Sequence, residues 1–236
     1  MNKQSKNNQK TVTDSFGVVY SADGTRLIKC GNKELSEYTV KEGTVEICDN
    51  AFAFCNKLTD VIIPESVEII GNGAFFSYGS LKSVTIPQTT RHIGLDSLFA
   101  IGSLTEINVA EGNKSYVSVD GVLFNRNMTE LIQYPNGKTD VEYVVPNAVK
   151  CICEDAFRCC ESLTSVVIPD TVLNIGDAAF AECENLKIVK SKTSPNPQLK
   201  IGNYAFESCP NLDYTKFDFG QFYKPSRVIY TPTDKH

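Results

Sequence analysis

LTSVVIPDTVLNIGDAAFAECENL, Leu163 to Leu186, runs from one leucine to the next with a period of 23 residues. Its apolar positions are Leu163, Val166, Ile168, Val172, Ile175, Ala179, Phe180 and Cys183, punctuated by Pro169 and Gly176. That spacing sustains neither the period of a helix nor that of a strand. It suits a chain in which each copy is one coil, with inward apolar side chains that stack on the next coil. Val166 and Ile168 alternate with Ser165 and Val167, which predicts a short strand with one buried face. Pro169 lacks an N–H and ends the pairing. Val172 and Ile175 predict a second short strand. Gly176 reads as a position whose backbone geometry a side chain resists. Asp177 and the following Ala-Ala-Phe read as one helical or 3₁₀ turn that plugs the coil with Phe180.

The rest of the chain repeats this stretch. Leu35, Leu58 and Leu81 open coils with Ile47, Ile70 and Ile93 in register, and Leu104, Ile107 and Val109 begin a fourth that is interrupted. The coil from Leu81 departs at Ser97, Leu98 and Ile101, which replace Ala, Phe and Cys, and Tyr78 stands where its predecessor would have cysteine. A coil with Tyr143, Val145, Ile152, Phe157 and Cys160 leads into Leu163. The last coil, from Leu186 to Leu212, is stretched to 26 residues by the loop at 194–197. Two β-prone stretches flank these blocks. Residues 16–30 read as a hairpin about the Asp23-Gly24 turn, and residues 116–138 as a hairpin insert. Gly17-Val18-Val19-Tyr20 matches Gly121-Val122-Leu123-Phe124 at an offset of 104, so the chain reads as a duplicated hairpin-plus-coils unit.

The expected organisation is a polar, disordered tail over 1–14 and one repeat domain over 15–236. Within that domain lie the hairpin 16–30, coils 35–109, the insert 116–138, coils 140–212 and a C-terminal cap over 213–236. The crowding of Phe217, Phe219, Phe222 and Tyr223 suggests the cap, with a partner-binding tail as the other reading. The expected fold is a repeat solenoid, mostly β with short helical or 3₁₀ turns, made of about seven coils.

Composition narrows the function. A net charge of −5 offers no basic face for nucleic acid. No apolar run is long enough for a membrane span, so membrane insertion is not expected. The N-terminal stretch MNKQSKNNQKTVTDS lacks the apolar core of a signal peptide. Nine cysteines invite a disulfide reading, but Cys55, Cys160, Cys183 and Cys209 share one repeat position, while Cys48 and Cys153 share the glycine position. The favoured reading is small buried fillers, as suits a reducing compartment.

Catalytic chemistry has little to work with. His92 is read as exposed beside the core, His236 is terminal, and no spacing sets a cysteine beside either. Cys151, Cys153, Cys159 and Cys160 could in principle hold zinc, yet Cys153 and Cys160 already occupy repeat positions and the usual two-by-two spacing is missing. Gly71-Asn72-Gly73 lacks the lysine and strand–helix setting of a phosphate loop. Asn113-Lys114-Ser115 and Asn127-Met128-Thr129 match glycosylation acceptors, useful only to a eukaryotic secreted chain. No catalytic residue, metal or cofactor is expected, and the chain reads as non-enzymatic.

The unit Leu-x-x-Ile-x-Ile-Pro-x-x-Val-x-x-Ile-Gly-x-x-Ala-Phe-x-x-Cys resembles the BspA-type (Treponema pallidum type) leucine-rich repeat, most specifically at Ile63 to Phe75 and Ile168 to Phe180. The resemblance implies a right-handed leucine-rich-repeat horseshoe with two β-hairpin insertions. It also implies a binding role, often as a bacterial surface or secreted protein adhering to host matrix or cell-surface partners. Protein or glycan partners of a monomer are therefore expected, at the cell surface or outside it. A cytoplasmic interaction scaffold is the alternative that the missing signal peptide favours. The outward positions of the strand face are Glu37, Thr39, Asp60, Ile62, Ser83, Thr85, Glu106, Asn108, Glu142, Val144, Ser165 and Val167, continued by Ile188 and Lys190. Stacked across coils, these predict a concave ribbon, the usual binding face of a solenoid; an ordinary solvated sheet is the other reading.

Overall fold

Each coil makes two short parallel strands because its apolar positions come in two pairs separated by a proline or a turn. The computed structural model describes residues 10–77, 79–98, 100–193 and 197–213. Tyr78, most of the 194–197 loop, the tail over 1–9 and nearly all of the expected C-terminal cap, with Phe217, Phe219, Phe222 and Tyr223, lie outside those residues. The chain, expected as one domain over 15–236, divides into two compact units, Met1–Thr139 and Asp140–His236.

Unit 1 begins with three antiparallel strands, β1 (Thr11–Thr13), β2 (Val18–Ser21) and β3 (Arg26–Cys30). Its coils supply β4 (Glu37–Thr39), β5 (Glu46–Ile47), β6 (Asp60–Ile62), β7 (Ile69–Ile70), β8 (Ser83–Ile86), β9 (His92–Ile93) and β10 (Glu106–Val109). Then come β11 (Tyr116–Val119), β12 (Val122–Asn125) and β13 (Glu130–Gln133), again antiparallel. The front strands pair as β4–β6 and β8–β10, while the back sheet runs β1-β2-β3-β5-β7-β9. Unit 2 contains β14 (Glu142–Val144), β15 (Cys151–Ile152), β16 (Ser165–Ile168), β17 (Asn174–Ile175), β18 (Ile188–Ser191) and β19 (Lys200–Ile201). Its front strands order as β14-β16-β18 and its back strands as β15-β17-β19. The 23-residue period is the register itself: Tyr38 pairs with Val61, Val84 with Ile107 and Val166 with Val189. Each unit is thus a β-solenoid built of stacked coils.

The corner after the back strand is not the helical or 3₁₀ turn expected from the sequence; no helix occurs among the described residues. Successive β-turns stand there instead. Ala51 N, Ala53 N and Cys55 N donate to the carbonyls three residues earlier in their own coil. The intervening amides of Asn50, Phe52 and Phe54 donate to Asn72, Ala74 and Phe76 of the next coil. Unit 2 repeats the scheme, with Ala178, Phe180 and Glu182 donating to Asn203, Ala205 and Glu207. Left-handed residues produce the alternation, at Asn50, Gly73, Asp96, Asp155, Ala178 and Tyr204 and again four residues on at Phe54, Ala100, Cys159, Glu182 and Ser208. Asn, Asp and Gly tolerate this conformation best and fill four of the six sites in the first series.

The repeat glycine also acts differently from expectation. Gly176 does not have the positive φ that glycine alone readily adopts. What demands it is closeness, because a Cβ there would stand 2.5 Å from the Glu154 amide nitrogen of the coil beneath. Gly71, Gly94 and Gly202 meet Asp49, Asn72 and Asp177 at the same 2.5 Å. Cys48 and Cys153 can occupy this position because each sits in the first coil of its unit, with no earlier coil of that unit below. Coil spacing of about 4.8 Å also stacks the plugging rings: Phe52 on Phe75 at 5.3 Å, Phe157 on Phe180 at 4.8 Å, and Phe180 on Phe206 at 5.2 Å, all within 8° of parallel. In the divergent third coil Ser97 replaces alanine without leaving a polar orphan, since its hydroxyl is shared between the Gly71 and Gly94 carbonyls at 2.6 Å.

Both excursions have a strand more than the sequence suggested. Thr11–Thr13, placed in the disordered tail, is instead β1, paired on β2 because its β-branched residues complete a sheet edge. The duplication reaches fine detail, for the register shifts between Val19 and Tyr20 in one excursion and between Leu123 and Phe124 in the other, again 104 residues apart. One difference separates them. Gly31 N closes on Gly17 O at 2.9 Å, whereas Pro135, its counterpart, has no N–H, and Gly121 O accepts from Ile107 N of β10 instead. The first excursion is tied to the first coil by Tyr38, whose hydroxyl donates to Asp14 Oδ2 at 2.5 Å and lies 2.7 Å from the Tyr20 hydroxyl. Burial opposes ionisation of Asp14, but the Tyr38 hydroxyl and the Val18 and Phe16 amides outweigh it and hold its pKa below the ordinary carboxylate value.

Gly176→Ala should therefore destabilise by about 2 kcal/mol or more through overpacking against backbone, while Gly102→Ala, with nothing within 4 Å of the added Cβ, stays within about 0.5 kcal/mol; urea unfolding measures both. In the β2–β3 turn, the Ser21 hydroxyl and the Thr25 amide and hydroxyl hold the exposed Asp23 carboxyl at about 2. A depressed folded-state pKa means stability that is complete above the unfolded value and lost as pH falls toward 2. The stability gap between wild type and Asp23→Asn, followed by urea unfolding, should accordingly shrink as the pH is lowered from about 5 to about 2, with the loss beginning near about pH 4.

Candidate functional site

Strand alternation sends Tyr38, Val61, Val84 and Ile107 into the core of unit 1 and their neighbours outward. Glu37, Thr39, Asp60, Ser83, Thr85 and Glu106 are exposed, Ile62 is 59% exposed, and Asn108 is half-buried with its amide donating to Glu106 Oε2 at 3.3 Å. Register sets Glu37 beside Asp60 and Thr39 beside Ile62, then Ser83 beside Glu106 and Thr85 beside Asn108. In unit 2, Glu142, Ser165 and Ile188 form one column and Val144, Val167 and Lys190 the other. Val144 is 57% exposed and Val167 half-buried. Ser165 departs from its predicted place on the exposed face: only 8% exposed, its short side chain sits in register between the longer Glu142 and Ile188. The two faces differ in kind, unit 1 being acidic and hydroxyl-bearing and unit 2 aliphatic.

Other surfaces of the coils neutralise their charges from one layer to the next. Lys57 meets Glu34 at 2.6 Å, Arg91 meets Glu68 at 3.0 Å, and Arg158 meets Glu182 at 2.5 Å and, within its own coil, Asp155 at 3.2 Å. None of these ion pairs, nor that of Arg26 with Glu46, involves Glu37, Asp60 or Glu106. The front strands of unit 1 leave their carboxylates facing solvent.

Elsewhere the side chains that suggested chemistry are occupied with structure. All nine cysteines are thiols rather than disulfides. Cys183 and Cys209 donate to the Phe157 and Phe180 carbonyls at 3.0 Å, which is why a small, weakly polar residue recurs there. Burial, followed by the neighbouring Cys30 thiol, pushes Cys55 up to about 12. Burial and then the Glu182 carboxylate do the same to Cys159, whose Sγ lies 3.4 Å from Glu182 Oε2. Thiolates are disfavoured at both, the reverse of a nucleophile's setting. Cys151 accepts from the Asn174 amide at 3.4 Å. Among the described residues no three His, Cys, Asp or Glu side chains converge to hold a metal ion. His92 is exposed on β9. Of the two glycosylation motifs, Asn113 is fully buried, its amide donating to Pro87 and Thr90 and its carbonyl accepting from Ser115 and Tyr116. Asn127 is exposed at the β12–β13 turn. The sequence pattern alone did not separate the two.

The sequence profile of the BspA type leucine rich repeat region matches in six copies over residues 30–143 and 137–223. Three solved structures are similar. A leucine rich cell surface protein from Faecalibacterium prausnitzii is 29% identical, with TM-score 0.65 over 77% of this chain and 53% of that one. The pneumococcal vaccine antigen PcpA is 27% identical, with TM-score 0.67 over 76% and 50%. The leucine rich repeat protein of T. pallidum is 25% identical, with TM-score 0.57 over 92% and 98%. The chain thus spans about half the length of the first two. No curated protein sequence matches it.

Thiol accessibility tests the packing. Maleimide should label Cys151, Cys153 and Cys159 in the native protein and the six buried cysteines only after denaturation, read by peptide mass spectrometry.

Proposed function

Because the chain belongs to the BspA-type leucine-rich repeat family, we propose that it is a non-catalytic binding module that recognises protein or glycan partners through the outer face of its front strands. Leucine-rich repeats of this family are in general protein-interaction modules. The observation that carries the reading is the contrast within each coil. The inward side chains, the glycine, the phenylalanine and the cysteine are engaged in stacking, while Ile62 and Val144 stand more than half exposed on the front strands. A rigid sheet that presents side chains at fixed spacing suits recognition, since little ordering remains to be done on binding.

For the biological use we propose adhesion at the cell surface, a reading supported by the likeness to a leucine rich cell surface protein and to a vaccine antigen. Nine cysteines held as thiols rather than disulfides favour the second reading, an intracellular interaction scaffold. Fractionation of the source cells separates the two: protein confined to the cytosol would end the adhesion reading.

The face is tested by screening the purified protein against matrix proteins, cell-surface proteins and a glycan array. The triple variant Ile62→Lys, Val144→Lys, Val167→Lys should lose at least about tenfold in affinity for any ligand found, or about 1.4 kcal/mol, with Tm nearly unchanged because exposed positions contribute little to stability. Undiminished binding by the variant would move the site off these strands.

A further inference from the structure

Resting on that binding reading, we propose that the front face of unit 1 takes a cationic polypeptide segment, one that offers several lysine or arginine side chains at once. The face is organised in a way the fold does not require. Glu37 and Asp60 occupy neighbouring strands in direct register, an arrangement that costs stability by like-charge repulsion. Glu106 continues the same column on β10 beyond Ser83. The ion pairs between layers of unit 1, Lys57–Glu34, Arg91–Glu68 and Arg26–Glu46, join opposite signs. The carboxylates of the front column belong to none of those pairs.

The chemistry of the occupant follows from how the charges are spread. Among the described residues no three acidic side chains converge tightly enough to hold one metal ion, so a single divalent cation does not match the column. Carboxylates on β4, β6 and β10 are instead distributed over four coils, at about 4.8 Å per step, which suits a polyvalent cation laid across the strands. The adjoining column of Thr39, Ile62, Thr85 and Asn108 adds methyl groups and, at Ile62, an exposed aliphatic side chain. Lysine and arginine carry long apolar stems below their charge, and this pairing of carboxylate with aliphatic surface receives both parts. The corresponding columns of unit 2 have one carboxylate, Glu142, and end in Ile188 and Lys190, so the preference is specific to unit 1.

The probe is a fluorescent alternating lysine–serine dodecapeptide, compared with its glutamate–serine counterpart, spermine and calcium, at low salt and at about 150 mM salt where exposed charges are screened beyond roughly 8 Å. The lysine peptide should bind the wild type, weaken with salt, and bind the variant Glu37→Gln, Asp60→Asn, Glu106→Gln at least about tenfold less tightly, while Leu95→Lys, at an exposed position away from the front strands, leaves its binding unchanged. Tm of the neutralised variant should hold or rise, because the like-charge contacts are removed. Equal binding of both peptides, peptide binding that survives neutralisation, stoichiometric calcium binding without peptide binding, or a lowered Tm would each overturn the inference. If the lysine peptide fails while Ile62→Lys still abolishes capture of another ligand, the cationic partner alone is lost; if neither set of variants affects any ligand, the binding face itself is wrong.

Discussion

Backbone hydrogen bonding from one coil to the next is the constraint on which the rest of the structure depends. At the corner every second amide, such as Asn50, Phe52 and Phe54, is donated to the following coil. That spacing brings the chains so close that only glycine fits where Gly71, Gly94, Gly176 and Gly202 cross the layer beneath. It also lays Phe157, Phe180 and Phe206 in a parallel stack, each contact adding about 0.5–1.5 kcal/mol beyond simple burial. Cysteine recurs beside them because a thiol fills a small space and can still donate weakly to a carbonyl such as that of Phe157. The repeat motif is therefore a set of answers to a single packing problem.

The two hairpin excursions answer a different one, the termination or interruption of a stack. They share their register shift and their strand pairing, yet a single residue gives them different partners. Gly31 supplies an amide that satisfies Gly17 within the excursion, whereas Pro135 cannot, which leaves Gly121 O for Ile107 of β10. Asp14, Tyr38 and Tyr20 then anchor the first excursion to the first coil. An insert common to both halves is in this way used once as a closed end and once joined to a preceding strand.

With the interior so fully committed, the recognition proposed for this chain rests on residues the repeat does not specify. Unit 1 and unit 2 share a scaffold but differ in what they offer on it, carboxylates and hydroxyls in one and aliphatic side chains in the other. This is the ordinary economy of repeat proteins: the stacking residues are held constant and the outward positions of the strands vary freely.

Periodicity made the coils, the two strands per coil, the hairpins and the packing role of the cysteines legible without coordinates, because each depends on local spacing and on burial that repeats every 23 residues. The outward positions were legible too, since alternation alone assigns them, although Ser165 required knowledge of its neighbours Glu142 and Ile188. Tertiary structure decided what depends on contacts between layers. The glycine is required by a 2.5 Å approach rather than by its φ, and the corner is a run of β-turns rather than a helical turn, because its amides are shared with the next coil. Asn113 is buried where Asn127 is not, and β1 forms only because β2 offers it an edge. Spacing sets Glu37 and Asp60 one period apart, but only the structure shows that neither belongs to an ion pair among those described. Local pattern is written along the chain; proximity between distant layers exists only once the coils have closed on one another.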